Sequence, residues 1–145
     1  MGRIMALDYG SKTVGVALSD ELHITANGLE IVRRPNEIDV KETLVRLLAI
    51  IKEYNVEKIV LGLPKNMDNS LGASAENVMR FKEKLAKLTD KEIILWDERL
   101  TTVQTHNMMR DAGVNWKKRM KVVDKVAATL ILQNYLDASG LKMPW

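Results

Sequence analysis

The sequence predicts an α/β fold in which helices cover both faces of a mixed β-sheet. Two strand-like segments, residues 3–9 and 13–19, are joined by a short turn that contains Gly10, which is typical of a hairpin. Residues 58–64 and 92–96 each contain a continuous apolar run after one charged residue, as strands buried on both faces do. Segments with helical spacing alternate with these buried strands, which favours parallel pairing in the second half of the sheet.

The remaining elements follow from local spacing. A third strand is predicted over residues 28–34, with Leu29, Ile31 and Arg33 on one face, before Pro35 ends it. Apolar spacing predicts helices over residues 39–54, 75–88, 101–111 and 122–138. Residues 65–74 are expected to form a loop, and residues 109–121 a loop or a broken helix. The predicted order is β-β-β-α-β-α-β-α-α, in a single domain over residues 1–145.

Composition narrows the functional classes. The 145 residues include no cysteine, which excludes disulfides, thiolate metal sites and a thiol nucleophile. No apolar run approaches the ~20 residues that a membrane-spanning helix needs. The first residues lack the apolar region and cleavage site of a signal peptide. We therefore expect a cytoplasmic protein with no membrane partner.

Positive charge is clustered, although the net charge is only +3. Clustered cations are what a polyanion-binding surface needs, because phosphate contacts release counterions. The alternative is an ordinary solvated loop. The first cluster falls within nine residues and the second is a single pair: Lys117, Lys118, Arg119, Lys121 and Lys125, then Arg33 and Arg34.

Two sets of carboxylates follow predicted strands. Asp8 lies near the end of the first strand, and ligands of α/β sheets bind beyond the carboxyl ends of strands. The alternative is an aspartate that only caps the following turn. Asp97 and Glu98 come directly after the strand over residues 92–96. Either a metal ion or an ion pair with Arg99 would offset the repulsion between them.

A third carboxylate, Asp124, lies in the predicted helix over residues 122–138, on one face with Ala128, Ile131 and Tyr135. An acid on a small and apolar face indicates function, whereas a helix-dipole interaction would be purely structural. Three acids that converge from distant parts of the chain repel one another unless cations hold them. Together they predict a site for Mg²⁺ or Mn²⁺ that serves phosphate chemistry.

Four segments in this order resemble the YqgF/RuvX family of Holliday-junction-resolvase-like proteins and pre-16S rRNA nucleases. They are LDYGSKTVGVALSD, VLGLPKNMDNSLGASAE, WDERLTT and VDKVAATLILQNYL. The resemblance implies an RNase H-like fold with a central five-stranded mixed sheet whose strands 1–3 are antiparallel. It also implies a metal-dependent cytoplasmic nuclease whose acids correspond to Asp8, Glu98 and Asp124. Strand alternation leaves Asp97 and Glu98 open, and the family motif favours Glu98.

The resemblance also implies how substrate is bound and cleaved. Lys12, Lys65, Asn66 and Arg99 are expected to contact the nucleic acid at this site. From the clustered charge, Lys118 and Arg119 are expected to hold the strand, with Trp116 stacking on a base, unless that segment is only a solvated loop. The expected reaction is hydrolysis at the 5′ end of pre-16S rRNA, leaving a 5′-phosphate and a 3′-hydroxyl. RNA is favoured over DNA as the partner, and the protein is expected to be a monomer or a homodimer.

Three other functions compete with this hypothesis. The strongest of them is cleavage of branched DNA, such as a Holliday junction, which the resolvase resemblance of the family suggests. The acids could instead be structural, in a non-catalytic RNA-binding protein of ribosome biogenesis. The DYGSKT segment also resembles the first phosphate loop of actin- and hexokinase-type ATPases. Those enzymes close two lobes around the nucleotide, and 145 residues supply about one domain, which argues against this activity.

Overall fold

The computed structural model describes residues 2–10, 12–35, 39–63, 72–97 and 127–138. These residues form five strands and three helices. The strands are β1 (Arg3–Tyr9), β2 (Thr13–Ser19), β3 (Ala26–Arg33), β4 (Val56–Leu63) and β5 (Glu92–Asp97). The helices are α1 (Lys41–Glu53), α2 (Ala73–Ala86) and a third, α3, over residues 127–138.

The five strands form one mixed sheet in the order β3-β2-β1-β4-β5. Strand β2 runs antiparallel to both β1 and β3, whereas β4 runs parallel to both β1 and β5. The predicted α/β class, the antiparallel strands 1–3 and the parallel second half are therefore confirmed. Strand β1 is central, because it joins the antiparallel half to the parallel half.

Helices cover both faces of the sheet, and each face has its own apolar cluster. The first core cluster lies between the sheet and α1 and α2, and includes Met5, Leu7, Val14, Val16, Leu47, Ile50, Ile59, Leu61, Phe81 and Leu85. The second core cluster lies between the sheet and α3, and consists of Ile4, Ala6, Ala17, Val60, Ala128, Ile131, Leu132 and Leu136. Alternate residues of β1 enter the two clusters, as the two-residue period of a strand requires.

Strand β3 differs from its prediction in the faces of its side chains. Leu29 and Val32 both pack in the first core cluster, so the prediction that Leu29, Ile31 and Arg33 share one face of the strand is wrong. The pairing with β2 shifts at Leu29, which is an extra residue on β3. Such a bulge reverses the alternation of all residues after it, and spacing alone does not reveal it.

The other predicted bounds differ from the structure at the ends of the elements. The predicted short helix over residues 101–111 and the segment over residues 109–121 lie outside the described residues. Of the helix predicted over residues 122–138, the structure describes residues 127–138, and these are helical. Within the described parts of the chain, no helix is both long and apolar enough to cross a membrane.

The turn between β2 and β3 is organised by Asp20. Its carboxylate oxygen Oδ1 accepts hydrogen bonds from the backbone N–H groups of Thr25, at 3.0 Å, and Ile24, at 2.7 Å. These two hydrogen bonds lower the pKa of the Asp20 carboxyl below its ordinary value. Asp20 therefore has a local structural role, at the edge of the sheet opposite the carboxyl end of β1.

Candidate functional site

The carboxyl ends of β1, β4 and β5 lie at one edge of the sheet, because these three strands are parallel. Leu7 of β1 pairs with Leu61 of β4, and Leu63 of β4 pairs with Asp97 of β5. Ligands of α/β sheets bind at such an edge, where backbone groups and loops after the strands converge. We therefore take this edge as the candidate site.

Asp8 is the last residue but one of β1 and is partly buried. Its neighbour Leu7 enters the first core cluster, whereas Ile4 and Ala6 enter the second. Strand alternation therefore places Asp8 on the face that α3 covers. A carboxylate at this level of the central strand is the feature predicted from the sequence.

Small residues surround Asp8 on this face. Its partner on β2 is Gly15, and on β4 the residue after Leu61, the partner of Leu7, is Gly62. The next level of the same face carries Ala6 and Ala17, which pair with each other. None of these four side chains is larger than a methyl group, so the strands beside Asp8 leave room near its carboxylate. Spacing arguments missed both glycines, because each reads as ordinary strand sequence.

Asp97 lies on the other face of the sheet. Ile93 and Leu95 pack against the first core cluster, and Trp96 packs against the second. Asp97 therefore follows the alternation of Ile93 and Leu95, and its side chain is exposed. The structure does not bring Asp97 to the face that carries Asp8.

Helix α3 is bonded to the start of β3 through Gln133 and packs on the second core cluster. The Gln133 amide accepts a hydrogen bond from the Ala26 N–H at 3.0 Å and donates one to the Ile24 carbonyl at 3.1 Å. Ala26 pairs with Ser19, whose hydroxyl accepts a hydrogen bond from the Ile4 N–H. Gln133 is thus level with the start of β1.

The predicted face of α3 is confirmed where the structure describes it. Ala128 and Ile131 are fully buried in the second core cluster, and Tyr135 packs against that cluster. The ring of Tyr135 also meets Trp96 edge to face, with 5.5 Å between the ring centroids. These contacts hold α3 across the sheet from β3 to β5.

Lys12 lies in the turn after β1, and its side chain is exposed. The turn is closed by a hydrogen bond of 2.7 Å from the Gly10 N–H to the Thr13 carbonyl. Lys12 is therefore available to solvent at the same edge of the sheet as Asp8.

Arg34 corrects the charge analysis. Arg33 is exposed, but only 5% of Arg34 is accessible, so the two do not form a cationic surface pair. The Arg34 guanidinium donates a hydrogen bond of 2.5 Å to the Gly10 carbonyl and lies 4.4 Å from the centroid of the Tyr9 ring. The charge is thus used inside the protein, beside the turn that follows Asp8. A count of cations along the sequence does not contain this information.

The other predicted site residues lie outside the described residues: Glu98, Asp124, Lys65, Asn66, Arg99, Lys118 and Arg119. Within the described ranges, no group of three or more His, Cys, Asp or Glu side chains could hold a metal ion. Of the three predicted acids, the structure therefore describes Asp8 alone.

The chain is similar to proteins of known family along nearly its whole length. A family model described as RuvX, a Holliday junction resolvase, matches residues 2–138. A protein of Agathobacter rectalis is 53% identical over 135 residues, which cover 93% of this chain and 94% of that protein. A protein of Desulforamulus reducens is 51% identical over 140 residues, which cover 97% and 99%. Both carry the name "Putative pre-16S rRNA nuclease".

Two solved structures share the fold at low sequence identity. Thermus thermophilus RuvC in complex with a Holliday junction substrate matches 97% of this chain and 96% of its own, with a TM-score of 0.61 and 15% identity. The Holliday junction resolvase of fowlpox virus matches 94% and 99%, with a TM-score of 0.57 and 14% identity. The fold is therefore RNase H-like, as the sequence resemblance implies.

Proposed function

This chain belongs to the RuvX family of Holliday junction resolvases, and from that membership we propose that it is a metal-dependent nuclease that hydrolyses phosphodiester bonds at the 5′ end of pre-16S rRNA. The observation that carries the proposal is the position of Asp8. It lies at the carboxyl end of the central strand, on the face that α3 covers, between two glycine positions.

Glu98 is the second acid of the proposed site. Asp97 follows Ile93 and Leu95 on the face opposite Asp8, so it does not serve beside Asp8. If the alternation of β5 continued by one residue, Glu98 would lie on the face that carries Trp96 and Asp8. Alternation therefore supports Glu98, which the family motif also favours.

Asp124 is the third acid, and the run of α3 supports it. Gln133 is level with Ile4, and Asp124 precedes Gln133 by nine residues, which in a helix is a rise of about 13.5 Å. From Ile4 to Asp8 the strand rises about 13 Å. We propose that α3 runs antiparallel to β1, so that a helix continued to Asp124 would bring this acid level with Asp8.

The donors fit Mg²⁺ or Mn²⁺. Asp8, Glu98 and Asp124 would offer only carboxylate oxygens, which these ions prefer, and the small residues beside Asp8 leave room for ligands. When bound, such ions activate the attacking water and stabilise the leaving oxygen of a phosphodiester. The acids of this chain orient that site, and Lys12 holds a substrate phosphate at the same edge.

The remaining predicted cations would hold the nucleic acid strand. Lys65 and Asn66 follow β4, and Arg99 follows β5, so all three come after strands that end at the edge of Asp8. Lys118 and Arg119 belong to the basic cluster, whose phosphate contacts would make binding weaker as salt rises. We propose that the protein acts in the cytoplasm, as a single domain over residues 1–145, and as a monomer or a homodimer.

Cleavage of branched DNA is the second candidate function. It is favoured by the description of the matching family model as a Holliday junction resolvase. Pre-16S rRNA is favoured by the names of relatives about half identical to this chain. A non-catalytic RNA-binding role is the third outcome that the experiment distinguishes.

One cleavage experiment tests the proposal. Purified protein is incubated with precursor rRNA that spans the 5′ end of 16S rRNA, with unrelated single-stranded RNA, and with a four-way DNA junction. Each substrate is tested with Mg²⁺, with Mn²⁺ and with EDTA. We expect metal-dependent cleavage of the precursor, and preferential cleavage of the junction would instead support the second candidate. Binding without cleavage of every substrate would support the non-catalytic role.

Substitutions identify the acids. Asp8→Asn, Glu98→Gln and Asp124→Asn should each lower kcat by at least about 100-fold, since each removes an interaction worth several kcal/mol in the transition state. Asp97→Asn is the matched control, because Asp97 adjoins Glu98 but lies on the opposite face from Asp8, and it should keep near wild-type activity. Cleavage that survives Asp8→Asn, or EDTA, would exclude the metal mechanism.

A further inference from the structure

Arg34 is a buried cation that no step of the proposed reaction uses. It follows the end of β3 directly, and 5% of its surface is accessible. Burial of a guanidinium costs free energy unless hydrogen bonds and polar contacts compensate it. Since a surface phosphate contact is excluded at this exposure, its contacts must explain why a charge lies here.

Those contacts converge on the turn after Asp8. The guanidinium Nη2 donates to the Gly10 carbonyl at 2.5 Å, and the backbone N–H of Arg34 donates to the Lys12 carbonyl at 2.7 Å. The guanidinium carbon lies 4.4 Å from the centroid of the Tyr9 ring, within the range of a cation–π interaction. Arg34, the residue after β3, thus holds the turn through both its side chain and its backbone.

The turn after Asp8 is also fixed to the core. The Tyr9 ring packs against the first core cluster, with its centroid 4.5 Å from that of Phe81, which is fully buried. Tyr9 and Asp8 are consecutive residues of β1 and project from opposite faces. Whatever fixes the Tyr9 ring and the Gly10 carbonyl therefore fixes the peptide from which the Asp8 carboxylate projects.

We propose that Arg34 is a positioning residue of this nuclease, which holds the turn over residues 9–12 so that Asp8 and Lys12 are presented together to the scissile phosphate. The proposal rests on the proposed function. It requires arginine in particular, because the planar guanidinium can stack on Tyr9 while it donates to Gly10, which a lysine ammonium cannot reproduce.

The first test is kinetic. Arg34→Met and Arg34→Lys are compared with wild type on the substrate that wild type cleaves, at a temperature where each protein is fully folded. Arg34→Met should lower kcat by about 10- to 100-fold with a smaller change in KM, because misplacement of a catalytic group by about 1 Å has effects of this size. Arg34→Lys should be intermediate. Arg46→Met, which removes an exposed arginine from α1, is the control and should leave kcat unchanged.

The second test separates positioning from general stability. In single-turnover reactions with excess enzyme, Arg34→Met should have little further effect once Asp8→Asn is present, since both changes act on the same carboxylate. Hydrogen exchange at the Gly10 amide, which donates to Thr13, should accelerate in Arg34→Met and not in Arg46→Met. This readout does not depend on cleavage.

The outcomes distinguish the two proposals. If wild type cleaves no substrate with any metal, the proposed nuclease function fails, and the positioning role fails with it. If wild type cleaves but Arg34→Met keeps the wild-type kcat, only the role of Arg34 is overturned. The same holds if the fold-loss in rate of the double variant equals the product of the fold-losses of Arg34→Met and Asp8→Asn. Unchanged exchange at the Gly10 amide in Arg34→Met would overturn it as well.

Discussion

Ala128 offers a direct test of whether the packing of α3 sets the position of the third acid. It is fully buried in the second core cluster, which also contains Ala6 and Ala17 of the sheet, so a larger side chain has no free solvent to enter. Ala128 also follows Asp124 by four residues, which would be about one turn if the proposed helix continued to Asp124. Ala128→Val and Ala128→Leu enlarge this contact in two steps.

The expected cost follows from this tight packing. Added carbon atoms in a filled core typically cost about 1–3 kcal/mol. With about 2.1 cal/mol/K per residue, the 145 residues give an unfolding entropy near 0.3 kcal/mol/K, so Tm should fall by about 3–10 °C. A protein of ordinary stability, about 5–15 kcal/mol, stays folded after such a loss. An outward shift of α3 on the order of 1 Å should nevertheless lower kcat by up to about 100-fold.

Thermal unfolding by circular dichroism and cleavage kinetics at 25 °C measure the two effects separately. Leu136→Ala is the matched control, because Leu136 is 4% exposed in the same cluster but lies eight residues beyond Ala128, farther along the chain from Asp124. It should lose about 2–5 kcal/mol of stability through a cavity and keep most of its kcat. The reasoning is refuted if Ala128→Leu is destabilised yet cleaves like wild type. It is also refuted if Ala128→Leu and Leu136→Ala lose activity equally.

Three further predictions concern stability. Gly2→Ala should cost about 1–3 kcal/mol in urea unfolding, because a Cβ there would lie 2.6 Å from the Asn55 carbonyl oxygen, and a change under about 0.5 kcal/mol would contradict this close approach. Asp20→Asn should destabilise at neutral pH. Because the folded state lowers the pKa of Asp20, its stabilisation is present above the ordinary value of 3.8 and is lost as pH falls through the lower folded value, so the two urea midpoints should converge in acid. A gap that is independent of pH would refute this. Glu30→Gln removes a partly exposed ion pair with Arg46 and should cost about 0.2–1 kcal/mol, less at about 1 M salt, and equal losses in both salts would exclude the ion pair as the cause.

Sequence reasoning predicted most of the fold because its signals are local. The apolar runs of β4 and β5, and the helical spacing of α1 and α2, come from which residues must be buried, and burial leaves a periodic pattern. The shared face predicted for Leu29, Ile31 and Arg33 of β3 was wrong because one inserted residue, Leu29, shifts the register of pairing with β2. A bulge depends on the partner strand, so periodicity within β3 does not contain it.

The candidate site divides in the same way. The sequence by itself determined that Asp8 lies near the end of a strand and that Asp97 and Glu98 come at the end of another buried strand. It also showed that the chain resembles one family of nucleases. Only the tertiary structure decided that Asp97 and Asp8 lie on opposite faces and that Gly15 lies beside Asp8. It also turned Arg34 from an expected surface cation into a buried contact of the turn after Asp8. The reason is physical: a charge pattern is written along one chain, whereas burial and facing depend on the strands and helices that pack beside it.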